Sequence, residues 1–199
     1  MYVFESEQYL NHLTKQEEKA RDIMVYLFNP VLKYVLANAK PMEFAKYGFN
    51  SCRQTAILGA AYLQYVLPDY CIVPYEGLFS EDLPNGNEQY IHAFILASKD
   101  DRCLLIDLSR TTKRLMFGEC TSTLYPLIED YKDMVLINKN PINLKQMIET
   151  DVEEYFTNMK PIMLLDMIST LIKEVQSMPK HEQNKFCDMV YAMFTQLRR

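Results

Sequence analysis

The sequence predicts an α+β fold, an antiparallel sheet packed on a central helix with helical additions at both ends. Three observations carry that expectation. Apolar residues recur at helical spacing in both outer parts of the chain. Between those parts lie segments rich in β-branched and aromatic residues, separated by turn chemistry. The helical stretch directly before these segments, residues 50–67 (NSCRQTAILGAAYLQYVL), opens on a cysteine. No linker, repeat or low-complexity segment interrupts the 199 residues, so 1–199 reads as a single domain. Residues 47–110 form its expected core region, and 141–199 its C-terminal helical part.

Each element has a local justification. Over residues 5–29, Leu10, Leu13, Ala20, Ile23, Met24, Leu27 and Phe28 keep a 3.6-residue period, with KQEEKARD as the wet face. Asn29-Pro30 should bend or restart this helix, because proline lacks the N–H that the preceding turn needs. The helix then continues to Pro41. In 50–67, Asn50 or Ser51 can cap a helix whose Ala56, Ile57, Ala60, Ala61, Leu63 and Val66 form the apolar face. Pro68-Asp69 ends it. Residues 69–79 and 90–98 read as strands around a polar loop, 80–89, that contains Pro84, Asn85 and Gly86. Residues 103–110 (CLLIDLSR) follow as a third strand after a tight connection through Lys99, Asp100, Asp101 and Arg102. TSTLYPLI and DMVLIN are further strand candidates. Three helices close the chain: 143–159, then one striped by Leu164, Ile168, Leu171, Val175 and Met178. The last is striped by Phe186, Met189, Val190, Met193, Phe194 and Leu197.

Composition narrows the function classes. A net charge of −5 argues against a nucleic-acid or anionic-membrane binder. Five glycines are too few for a glycine-rich phosphate loop. The five cysteines are odd in number and contain no C-x-x-C pair, which indicates neither a disulfide scaffold nor a zinc ribbon. Free thiols suit a reducing compartment. No apolar run approaches the ~18 residues of a membrane span, and the first residues lack an apolar signal core. The expected setting is the cytoplasm, or export by a route without a Sec-type signal. No metal or organic cofactor is expected.

The chemistry begins at Cys52. In the first turn of a helix, unpaired N–H groups and the helix dipole favour an anion, the setting that turns a thiol into a nucleophile. Ala56 and Gly59 follow one and two turns later, small enough for another element to approach closely. A base and an orienting acid come from the hairpin. If its turn centres between Asp100 and Asp101, paired residues sum to 201, and His92 and Asp107 become diagonal neighbours on one side of the ribbon. Asp107 lies within the apolar run 104–108, where an unpaired carboxylate is costly to bury. His92 can supply its partner; Arg102, Arg110 or a turn amide are the competing ones. Cys52 would attack a carbonyl, His92 move the proton, and Asp107 fix the imidazole's tautomer. The backbone N–H of Cys52 is one oxyanion donor, and Tyr47 or Asn50 is the candidate for a second. Cys71, Cys103, Cys120 and Cys187 read as structural, and His12 and His181 as solvated.

Cysteine at a helix start, histidine in His92-Ala93-Phe94 and aspartate in Leu105-Ile106-Asp107-Leu108 resemble the transglutaminase-like branch of the papain-like cysteine enzymes. The resemblance covers residues 47–110. It implies a papain-like core with Cys52, His92 and Asp107 in the triad positions. It also implies acyl-transfer chemistry on the amides of a protein or peptide substrate. This chain departs from the branch in having no tryptophan and in following the cysteine with Arg53 and Gln54. Two other expectations stand beside the enzyme. One is a non-catalytic scaffold that binds a partner, or a second copy, through the C-terminal helices. The other is a toxin or effector using the triad on a host protein.

Overall fold

The computed structural model describes residues 13–39, 52–83, 86–109, 116–119, 134–142 and 161–196. The first helix, α1 (Lys15–Ile23), starts later than the apolar period suggests, because Thr14 caps it. Thr14 is extended (ψ 162°), its hydroxyl accepts from the Glu17 N–H, and the Glu17 carboxylate accepts from the Thr14 N–H at 2.6 Å. This reciprocal pair satisfies two donors of the first turn. Residues 1–12 lie outside the described residues, as does the expected helix 143–159.

Asn29-Pro30 does not break the helix. The chain passes through a π-helical segment (Met24–Phe28), where the Asn29 N–H bonds the Met24 carbonyl, and continues as α2 (Asn29–Ala39). Widening the turn by one residue accommodates the N–H that Pro30 lacks. In a regular α-helix the Tyr26 carbonyl would accept from residue 30, and Pro30 has nothing to donate. The thiol of Cys187 donates to that carbonyl instead, at 2.9 Å.

The central helix, α3 (Cys52–Val66), begins on the cysteine as expected. It is buried almost all round from Gln54 to Ala61, with Ile57, Leu58 and Leu63 fully enclosed. Each such side chain contributes about 1.5–3 kcal/mol of burial. Gly59 is the point of closest approach. A Cβ there would lie 3.1 Å from Cδ1 of Ile95, 3.6 Å from Phe28 and 3.7 Å from Met24, so sheet and N-terminal helix both close on this residue.

The sheet holds β1 (Cys71–Leu83), β2 (Gly86–Lys99), β3 (Arg102–Asp107), β4 (Met116–Glu119) and β5 (Met134–Pro141). Its order is β4-β3-β2-β1-β5, with every neighbouring pair antiparallel. Of the expected polar loop at 80–89, residues 80–83 and 86–89 are instead ladder. Pairing runs unbroken from Cys71↔Ser98 to Leu83↔Gly86, and Gly86 takes a φ of +127° that a side chain would resist. Polar composition concealed a long hairpin. The second hairpin turns at Asp100-Asp101 with Asp100 at φ +52°, and the pairs Lys99↔Arg102 to Ile95↔Ile106 all sum to 201, the anticipated register. DMVLIN forms β5 beside β1. TSTLYPLI lies outside the described residues, and β4, too short to show a period, was not anticipated.

The closing helices α4 (Pro161–Ser177) and α5 (Lys180–Gln196) fall where the periodicity puts them. Leu164, Ile168 and Val175 are buried, but Met178 and Met189 are exposed, so both stripes are narrower than expected. Tyr34 meets Phe186 edge-on at 5.7 Å, docking α2 against α5.

The KQEEKARD face is not wholly wet. Glu17 is fully buried and accepts two hydrogen bonds from Arg102 (2.5 and 2.7 Å) and one from Tyr70 (2.6 Å). Arg102 also reaches Glu119 at 3.0 Å. Burial, the largest single effect, pushes the Glu17 carboxyl up. The hydrogen bonds from Arg102, Tyr70 and Thr14 and the Arg102 charge outweigh it, holding the group near about 2.

Candidate functional site

Strand pleat and hairpin register position two of the three candidate residues. Alternate residues of β2 point to opposite sides of the sheet. Ala93, Ile95 and Ala97 join the helical core with Leu104 and Ile106. His92, Phe94 and Asp107 share the other parity, where Phe94 stacks on Tyr75 at 5.9 Å. The His92 side of the sheet is therefore not the side packed on α3. β2, however, runs well past its last rung with β3 at Ile95↔Ile106. His92 lies where the sheet has narrowed, and the tip of a helix on the opposite side can reach around to its ring. The Cys52 side chain acts on that ring, favouring its charged form.

Nε2 of His92 and Oδ2 of Asp107 are 2.6 Å apart. Asp107 is wholly enclosed and His92 nearly so, with side-chain exposures of 0% and 12%. The second carboxylate oxygen is also engaged. Oδ1 accepts from the Ser109 backbone N–H (3.2 Å) and from its hydroxyl (3.1 Å). Of the partners considered for Asp107, His92 takes one oxygen and a turn amide the other; Arg102 instead serves Glu17. Ser109 was missed as a contributor. The spacing D-x-S was the available signal, because aspartate commonly accepts from groups two residues on.

Burial, the largest effect on His92, disfavours its charged form. The charge and hydrogen bond of Asp107, followed by the hydrogen bond and charge of Cys52, overcome that penalty and raise the imidazole to about 10. Asp107 and Cys52 together thus favour the charged form of the ring. Such a group can balance a thiolate and deliver a proton to a leaving group.

The surroundings complete the arrangement. Arg53, the residue after Cys52, places Nε 3.7 Å from Oε1 of Glu76 on β1. Tyr47 and Asn50 lie outside the described residues, as do Ser51, Arg110, Cys120 and His12. His181 is solvated beside Glu182 at 3.9 Å, as expected. Of the remaining thiols, Cys187 is buried and Cys103 partly so, whereas Cys71 is exposed at the start of β1 and has no core role. Among the described residues, no group of three or more His, Cys, Asp and Glu side chains is arranged to hold a metal ion. No described helix is long and apolar enough to cross a membrane.

No family model matches the chain, and no curated protein is significantly similar to it. A solved structure known only as a genomics target aligns over 82% of both chains, at 15% identity and a TM-score of 0.41.

Proposed function

We propose that the chain is a cysteine-dependent hydrolase or acyltransferase acting on an amide or peptide bond, with Cys52, His92 and Asp107 as its triad. The observation that carries this reading is one imidazole paired with a buried carboxylate at 2.6 Å and favoured in its charged form by the Cys52 side chain at the start of α3. The resemblance of the surrounding motifs to the transglutaminase-like cysteine enzymes, and a papain-like arrangement of helix and sheet, belong to the same proposal.

In the first half-reaction, Sγ of Cys52 attacks the carbonyl carbon. The backbone N–H at the start of α3 donates to the developing oxyanion. His92 then gives its proton to the departing nitrogen as the C–N bond breaks, leaving a thioester. In the second half-reaction, water or an amine attacks the thioester while His92 removes its proton, and the thiolate leaves. Asp107, fixed on its other side by Ser109, orients the ring and balances its charge throughout.

Alkylation of the thiols across pH, followed site by site by mass spectrometry, tests the proposal. Cys52 is expected to react fast with iodoacetamide below pH about 7, ahead of the other cysteines. Replacing His92 with Gln should remove that advantage. Uniformly slow labelling would favour a non-catalytic scaffold. Cys52→Ala should abolish turnover with the fold intact, and a variant retaining full activity would overturn the assignment.

A further inference from the structure

The core grips α3 from Gln54 onward, but its first two residues, Cys52 and Arg53, are only half-buried. Packing at Ile57, Leu58 and Gly59 therefore acts one to two turns away from the sulfur. His92 lies on the opposite side of the sheet, so the layer that packs α3 does not itself align the sulfur with the ring. A contact at the helix tip bridges that gap. Arg53 places Nε 3.7 Å from Oε1 of Glu76, and Glu76 is paired with Ala93, the residue after His92. One ion pair and one rung of the β1–β2 ladder thus join the tip of α3 to the strand position beside the ring. Glu76 also faces Asn140 on β5, so its backbone is held between two neighbouring strands. Each side chain of the pair is 32% exposed, a setting in which an ion pair contributes little to global stability. Its effect is local, on where the tip sits.

We infer that Arg53 and Glu76 are positioning residues, an ion-pair tether that holds Cys52 in line with His92; this rests on the triad proposed above. A cation beside a cysteine can also favour the thiolate by charge alone. In that role Arg53 would work without Glu76, whose negative charge would oppose it. The two roles therefore predict opposite effects of removing the carboxylate.

The test reads the rate of Cys52 alkylation by iodoacetamide in the full chain, site by site by mass spectrometry, with exposed Cys71 as the reference thiol. At pH about 6, Glu76→Gln and Arg53→Gln should each slow Cys52 at least about fivefold, the cost of a small misplacement. The double variant should be no slower than the slower single one, because both remove the same interaction. Arg53→Lys, which keeps a cation, should retain most of the wild-type rate. At pH about 10, where thiols ionise unaided, all variants should match the wild type within about twofold. Melting temperatures should move by no more than about 4 °C. A Glu76→Gln rate equal to or above wild type at pH about 6 overturns the tether, and so does equal slowing at both pH values. If wild-type Cys52 labels no faster than Cys71 at pH about 6, the triad itself fails and this inference falls with it.

Discussion

At the residue scale, His92 and Asp107 form a unit whose two halves behave differently when removed. Asp107→Asn keeps the shape but offers the ring no negative charge. Activity should fall by about 10²–10⁴-fold in a turnover assay. Denaturant unfolding should register a loss of about 3 kcal/mol, because a buried imidazolium then lacks its counter-charge. The pH dependence has a definite sign. The His92 pKa is raised in the folded state, so its contribution is complete below the unfolded value near 6.5 and is lost as pH rises towards about 10. Melting temperature should therefore decline over that interval in the wild type, and more weakly in His92→Gln. This pairing was legible because it is local. Fifteen residues and a two-residue turn separate the partners, and parity determines whether they meet. Ser109 was legible by the same logic and was overlooked. The side of the sheet that faces α3 was not legible from the hairpin, whose register fixes which residues share a side but not which side packs on the helix.

At the element scale, the N-terminal helix and the long hairpin show where local signals mislead. Thr14 and Glu17 form a capping box that is visible in the sequence, yet the apolar period ran past it. Pro30 signals a bend or restart, the chain takes a π-helical segment just before it, and the thiol that serves the Tyr26 carbonyl is 161 residues away. No window of sequence contains both. Cys187→Ala should cost about 1 kcal/mol by removing this hydrogen bond, and Cys187→Ser, which keeps a donor, should cost less; thermal denaturation separates the two. Gly59 makes the converse case: its small size signals the close approach that Ile95 and Phe28 make there. Gly59→Leu should destabilise the fold by about 1–3 kcal/mol, because the Ile95 and Phe28 side chains already occupy the needed space.

At the scale of the whole molecule, Glu17 joins α1 to the sheet through partners 53 and 85 residues away. Sequence spacing gave no hint of that cluster, and a glutamate among lysines reads as solvated. Its pKa is depressed in the folded state, so its contribution is present above about 4.5 and is lost as pH falls towards about 2. Acid unfolding followed by circular dichroism should show a stability loss across that window. In Glu17→Gln the loss should flatten, while stability at neutral pH drops by about 3 kcal/mol.

The sulfhydryl that answers the Tyr26 carbonyl ties the last described helix to the first helical stretch. Trimming the chain ahead of residue 180 should therefore be felt at its opposite end. Amide exchange would quicken along the amino-terminal turns, although no bond within them had been cut.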